Sequence, residues 1–105
     1  MANKTELLNF LDKKVFHPIL NAKDDERGEK ERKELQQLQQ RTESEKARFH
    51  GYDSAERIVQ MYKTAINSET ERPANARLKD LGLPTLPDVR DEFLRLAGEE
   101  SSPAQ

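Results

Sequence analysis

The chain has no cysteine, no tryptophan, only four glycines and no long apolar run. Without cysteine, neither a disulfide nor a thiolate-ligated metal site can form. No apolar stretch approaches the roughly 18 residues that a membrane-spanning helix needs, and no apolar signal region follows Met1. These absences predict a cytoplasmic protein without membrane contact.

Core-forming residues are also scarce, because Leu, Ile, Val and Phe number only 22 of 105. That share is close to the level below which chains tend to be disordered. The apolar residues nevertheless recur at helical spacing, and the sustained alternation typical of strands is missing. We therefore expect one all-α domain over residues 1–98, with a thin core, followed by a disordered tail at 99–105.

Charges of the two signs are nearly balanced, with 18 basic and 20 acidic side chains. Residues 23–50 carry eight of each sign, and residues 51–105 carry seven basic and ten acidic groups. A surface that binds the phosphate backbone needs a local basic excess. Nucleic acid is therefore not the expected partner.

Capping signals and periodicity predict a small bundle of four to five helices. They occupy approximately residues 4–16, 29–50, 54–67, 71–81 and 86–97. Pro18 should stop or bend the first helix near His17, because proline lacks an N–H and collides with the preceding turn. Near the end of the chain, Thr85 should cap the last helix, with Asp88 paired back to it.

Residues 52–66 carry the most regular apolar stripe, so we expect them to form the packing centre. The stripe consists of Ala55, Ile58, Val59, Tyr62 and Ile66. Asp53 followed three residues later by Glu56 has the spacing of a capping box and should start this helix. Gly51 is expected to take the left-handed conformation that closes the helix before it.

Residues 23–34 contain no apolar side chain, and all of them except Gly28 are charged. A helix could start at Asp24 or Asp25, or at Gly28 with Glu31 reaching back; the later start is favoured. The first part of such a helix has nothing to bury, so only its second part can belong to the core. Whether residues 23–34 are helical or disordered stays open.

The second helix carries the candidate partner-binding surface. Its members recur mainly three and four residues apart and are Leu35, Leu38, Gln39, Thr42 and Phe49. Such spacing is typical of a short coiled-coil seam. An amphipathic helix that covers its own core explains the same pattern.

The sequence shows no constellation for catalysis, metal binding or a cofactor. A helical di-metal site needs Glu three residues before each histidine, but Lys14 precedes His17 and Ala47 precedes His50. His50 is more simply explained as a partner of the helix dipole. The glycines are scattered and form no phosphate-binding loop. We therefore expect no enzyme, no metal and no cofactor.

The favoured interpretation is a non-catalytic module that binds a protein partner or itself. One alternative is a nucleic-acid-associated regulator using helices 71–81 and 86–97 as a helix-turn-helix. The helix at 86–97 would be its recognition helix, but that helix has a net negative surface. That surface is formed by Asp88, Arg90, Asp91, Glu92 and Arg95. The second alternative is a small ligand binder or enzyme, which needs a pocket with converging polar groups. A small-molecule ligand and the oligomeric state stay open.

Overall fold

A computed structural model describes residues 3–23 and 28–98, and the described chain is predominantly helical. Helix α1 spans Lys4–Leu11, a π-helical turn spans Asp12–Phe16 and α2 spans His17–Leu20. The later elements are α3 (Glu29–His50), α4 (Ala55–Ile66), α5 (Arg72–Asp80), a 3-10 turn (Leu86–Val89) and α6 (Arg90–Ala97). No strand occurs in these residues, so the all-α prediction is confirmed. The tail expected at 99–105 lies outside the described part of the chain.

Pro18 does not end the first helix. Residues 4–20 form one continuous helical run, which we call the N-terminal segment. The His17 N–H donates to the carbonyl of Asp12, five residues back, so the helix widens just before the proline. The π-helical turn ends at Phe16, and α2 continues the helix through Pro18.

The charged start of α3 is helical and well capped. Gly28 precedes the helix in an extended conformation, and its N–H donates to Glu31 Oε1 at 3.1 Å. The favoured later start is thereby confirmed. Residues 29–33 are exposed, and Leu35 is the first buried residue of the helix. The expected division of α3 into an uncovered start and a core-facing remainder is therefore correct.

The predicted left-handed conformation of Gly51 is wrong. Its φ is −85°, and the glycines with positive φ are Gly82 and Gly98. The Gly51 N–H donates to the carbonyls of Ala47 and Arg48, so the last turn of α3 closes in the right-handed conformation.

The predicted capping residue of α4 is also wrong, by one position. Ser54, rather than Asp53, adopts the extended capping conformation, and its Oγ accepts from the Arg57 N–H at 3.1 Å. Both residue types are good caps. The turn after Gly51 decides which of them reaches the free N–H groups.

The N-terminal segment, and not α4, forms the centre of the packing. Helix α1 packs against α4 and α6, while the π-helical turn and α2 pack against α3. The buried residues of the segment are Leu7, Leu8, Leu11, Val15, Phe16 and Ile19. Helix α4 buries one stripe of Ile58, Val59 and Tyr62. The expectation that residues 52–66 form the packing centre is therefore wrong, because those residues pack against the N-terminal segment from one side only.

None of the described helices is both long and apolar enough to cross a membrane.

Candidate functional site

Four of the five residues of the predicted partner surface face the core of the chain itself. Their side chains are buried, with exposed fractions of 2% for Leu35, 5% for Leu38, 4% for Thr42 and 2% for Phe49. Their stripe therefore covers the protein's own interior. Any partner of α3 would have to contact the other faces of this helix.

Gln39, the fifth of these residues, joins α3 to the N-terminal segment. Its side-chain Nε2 donates to the carbonyls of Ile19 at 3.0 Å, Leu20 at 3.3 Å and Ala22 at 3.1 Å. These carbonyls lie at the end of α2, where a helix leaves its last acceptors without helical partners, although the Ile19 carbonyl also accepts from the Ala22 N–H. Gln39 thus caps α2 from another helix, a role that sequence spacing does not reveal.

The two histidines lie in different surroundings. His50 Nε2 is 3.0 Å from each carboxylate oxygen of Asp12, which ties the end of α3 to the π-helical turn. His17 is exposed. Among residues 3–23 and 28–98, no group of three or more His, Asp or Glu side chains is arranged to hold a metal ion.

Glu45 is a buried acid on the core-facing side of α3. Burial raises its pKa, the charge of Glu71 raises it further, and Arg41 and Arg48 oppose the shift. Arg41 also forms an ion pair with Glu71. This cluster of charged residues connects α3 to the link between α4 and α5, so its role is structural.

A groove of about 410 Å³ opens between the end of α4, one face of α5 and the 3-10 turn. The α5 wall consists of residues three and four apart, which form one stripe of Arg72, Asn75, Ala76 and Lys79. Thr85 and Asp88 lie in the opposite wall. The volume falls in the range of small-molecule sites. It is the kind of cavity that the ligand-binding alternative requires.

The end of α5 determines where the second wall of the groove lies. Gly82 takes φ +76°, and the Leu83 N–H donates to the carbonyl of Leu78 at 2.8 Å. This is the usual hydrogen-bond closure of a helix that ends at a left-handed glycine. The chain reverses there and brings Thr85 back beside α5.

Tyr62 fixes the 3-10 turn from the core side. Its hydroxyl donates to the carbonyl of Leu86, and its ring stacks on Phe93 with centroids 4.1 Å apart. Burial raises the pKa of the Tyr62 hydroxyl, so it remains a donor. The wall containing Thr85 is therefore held to the core at the residue after it.

Asp88 is the acidic group of the groove. It accepts from the Thr85 N–H at 3.1 Å, which confirms the predicted return pairing, and lies 3.2 Å from Lys79 Nζ. Partial burial would raise the pKa of Asp88, but the interactions with Thr85 and Lys79 outweigh burial and keep it below its ordinary value. The Lys79–Asp88 pair thus joins the two walls.

Thr85 is 1% exposed and occupies the N-cap of the 3-10 turn, where its side chain and that of Asp88 form a capping box. The hydroxyl lies close enough to Asp88 to help lower the pKa of that carboxyl.

The helix-turn-helix alternative acquires no basic surface from the fold. Arg90 pairs with its neighbour Asp91 at 3.1 Å, and Glu92 is exposed beside them. Such a surface offers little attraction to phosphate.

Compared with known protein families, curated proteins and solved structures, the chain matches none. The groove itself was not found from the sequence. The polar stripe of Arg72, Asn75 and Lys79 is visible there, but the opposing wall appears only when the chain reverses at Gly82.

Proposed function

We propose that the protein is a non-catalytic interaction module that binds a protein partner, or a second copy of itself, through the outer face of α3. We define the outer face as the exposed residues opposite the buried stripe: Lys33, Gln36, Gln37, Gln40, Ser44 and Ala47. The cytoplasmic location expected from composition belongs to the same proposal.

The composition of the outer face carries this proposal. From Gln36 to Ala47 its exposed members are amides, a hydroxyl and a methyl, and Glu43 is the one exposed charged residue in that range, although the rest of α3 is dense in charge. Charged side chains are depleted at the centre of protein interfaces, because their desolvation is costly. A stripe with few charges on an otherwise charged helix therefore favours contact with another protein.

The start of α3 supports the same role by extending the surface beyond the core. Residues 29–33 are exposed, and the Gly28–Glu31 cap holds their first turn. Glu34 pairs with Arg77 of α5, which anchors this turn laterally. Helices that bury nothing gain little stability from packing, so local contacts must hold this one. A partner would meet a surface that is already ordered.

The test places a charge at the centre of the outer face. Gln40→Glu should weaken binding, because an unpaired carboxylate would have to be desolvated in the interface. Affinity capture from the native cell followed by mass spectrometry detects a protein partner, and light scattering of the pure protein detects self-association. Gln60→Glu, at an exposed position of α4, is the matched control, since it makes the same change away from the outer face.

The expected result is a captured protein or a dimer that Gln40→Glu loses and Gln60→Glu retains. A monomer that captures no protein would contradict the proposal. So would a partner retained equally by both variants.

A further inference from the structure

We propose that the protein forms an antiparallel homodimer in which the outer faces of two α3 helices pack against each other. This inference rests on the proposed function, whose partner it names as a second copy of the chain. It is carried by the charges along the outer face, which lack partners within the chain and become complementary when one helix is reversed against another.

The charged residues at the outer face are not used by the fold. In the described chain, ion pairs join the sides of α3 to neighbouring elements: Glu34 to Arg77, Arg41 to Glu71 and His50 to Asp12. Lys33, which belongs to the outer face, and Glu43, which lies at its edge, are both exposed. Neither of them forms an ion pair or a hydrogen bond within residues 3–23 and 28–98. Their charges are therefore free to meet a partner.

The order of these charges along α3 is self-complementary. Lys33 lies five residues before Leu38, and Glu43 lies five residues after it. Two copies that cross antiparallel at the level of Leu38 therefore place each lysine opposite the glutamate of the other copy. Near the two ends, Glu29 and Arg48 are exposed and approach each other in the same way. A parallel pair would instead place like charges opposite each other, which is costly at an interface.

Amides occupy the centre between these charges. Gln36 lies two residues before Leu38 and Gln40 lies two residues after it, so the reversal that pairs the charges also pairs these two glutamines. An amide carries both donors and an acceptor, and it can therefore bond to another amide. The arrangement leaves no charge unpaired at the middle of the contact.

The contact is a single pair of helices. Residues 29–48 extend over about 29 Å at the rise of an α-helix. Such a contact is small compared with the interfaces of stable complexes, so we expect a dissociation constant of about 10–100 μM. Exposed ion pairs are screened by salt, and the dimer should therefore weaken as the salt concentration rises.

Sedimentation velocity of the full chain between about 10 and 500 μM tests the dimer. Lys33→Glu should weaken association at least about tenfold, because carboxylates would then face each other in both symmetric contacts. Lys13→Glu is the matched control, since it makes the same change of charge at an exposed position of the π-helical turn. Equal weakening in the two variants would show a general charge effect and overturn the proposed contact.

The combined variant Lys33→Glu/Glu43→Lys tests the direction of the helices. It exchanges the two charges, so opposite signs meet again only in an antiparallel pair. We expect it to dimerise within about threefold of the unmodified chain, whereas each single variant is impaired. An equimolar mixture of the two single variants should also form the dimer that neither forms alone. A combined variant that keeps its helical circular dichroism but stays monomeric would overturn the antiparallel contact.

The measurements separate this inference from the proposed function. A chain that remains monomeric at about 500 μM and low salt overturns the homodimer. A different protein that is captured from the cell and lost by Gln40→Glu would in that case still support the outer face as a binding surface. A dimer that both Gln40→Glu and Lys33→Glu leave intact would use another surface and contradict both proposals.

Discussion

The N-terminal segment and the start of α3 are both helical, but different forces hold them. Six residues of the segment are buried apolar side chains, and it packs against α3, α4 and α6. Residues 29–33 of α3 bury nothing and rely on the Gly28–Glu31 cap. The N-terminal segment is stabilised by tertiary packing, and the start of α3 by its local cap and by the Glu34–Arg77 ion pair.

This difference explains why a local sequence signal predicted the helix boundary correctly in one region and not in the other. Pro18 lies where many buried contacts favour continuation, and the helix accommodates it with a π-helical turn. At the start of α3 no packing competes, so the local cap decides the boundary at Gly28. At these two places the local signal fails where burial is extensive and holds where nothing is buried.

The largest expected effect is that of Phe16→Ala in the N-terminal segment. Phe16 is fully buried, and its ring centroid lies 6.0 Å from that of Phe49. Removing the ring should lower the free energy of unfolding by about 3–5 kcal/mol, from lost burial and the cavity left behind. Urea denaturation measures the loss, with exposed Lys13→Ala as the control. A loss below about 1 kcal/mol would mean that this segment is not the centre of the core.

A smaller effect is expected from Gln39→Ala, at the joint between the two regions. The change removes the donor shared by the carbonyls of Ile19, Leu20 and Ala22. The Ile19 carbonyl keeps the Ala22 N–H, but the partly buried carbonyls of Leu20 and Ala22 lose this donor, which should cost about 1–3 kcal/mol. Gln40→Ala, at the exposed neighbouring position, should change the unfolding free energy little. Equal effects in the two variants would show that water replaces the Gln39 amide without cost.

The smallest effect on global stability is expected from Glu31→Ala at the start of α3. Removing the acceptor of the Gly28 N–H should leave the urea midpoint unchanged within error, since no core contact is lost. Amide hydrogen exchange over residues 29–33 should nevertheless quicken by about two- to fivefold, because the first turn frays. Glu31→Gln retains an acceptor and should preserve the slower exchange. A clear fall in the midpoint would show that this turn supports the core after all.

The candidate sites were predictable to different degrees. The buried stripe of α3 was visible in the sequence, but its period fits a partner surface and a core face equally well. The structure places Leu35, Leu38, Thr42 and Phe49 inside. The groove was not predictable, because its two walls come together only through the reversal at Gly82.

The sequence by itself determined the all-α class, the start of α3 at Gly28 and the return pairing of Asp88 to Thr85. Periodicity and capping act over three or four residues, so they can be recognised without knowing the fold. Only the tertiary structure decided that the N-terminal segment is the packing centre, that Gln39 caps α2 and that a groove lies beside α5. Each of these depends on which helices are neighbours. That arrangement is set by many weak packing contacts acting together.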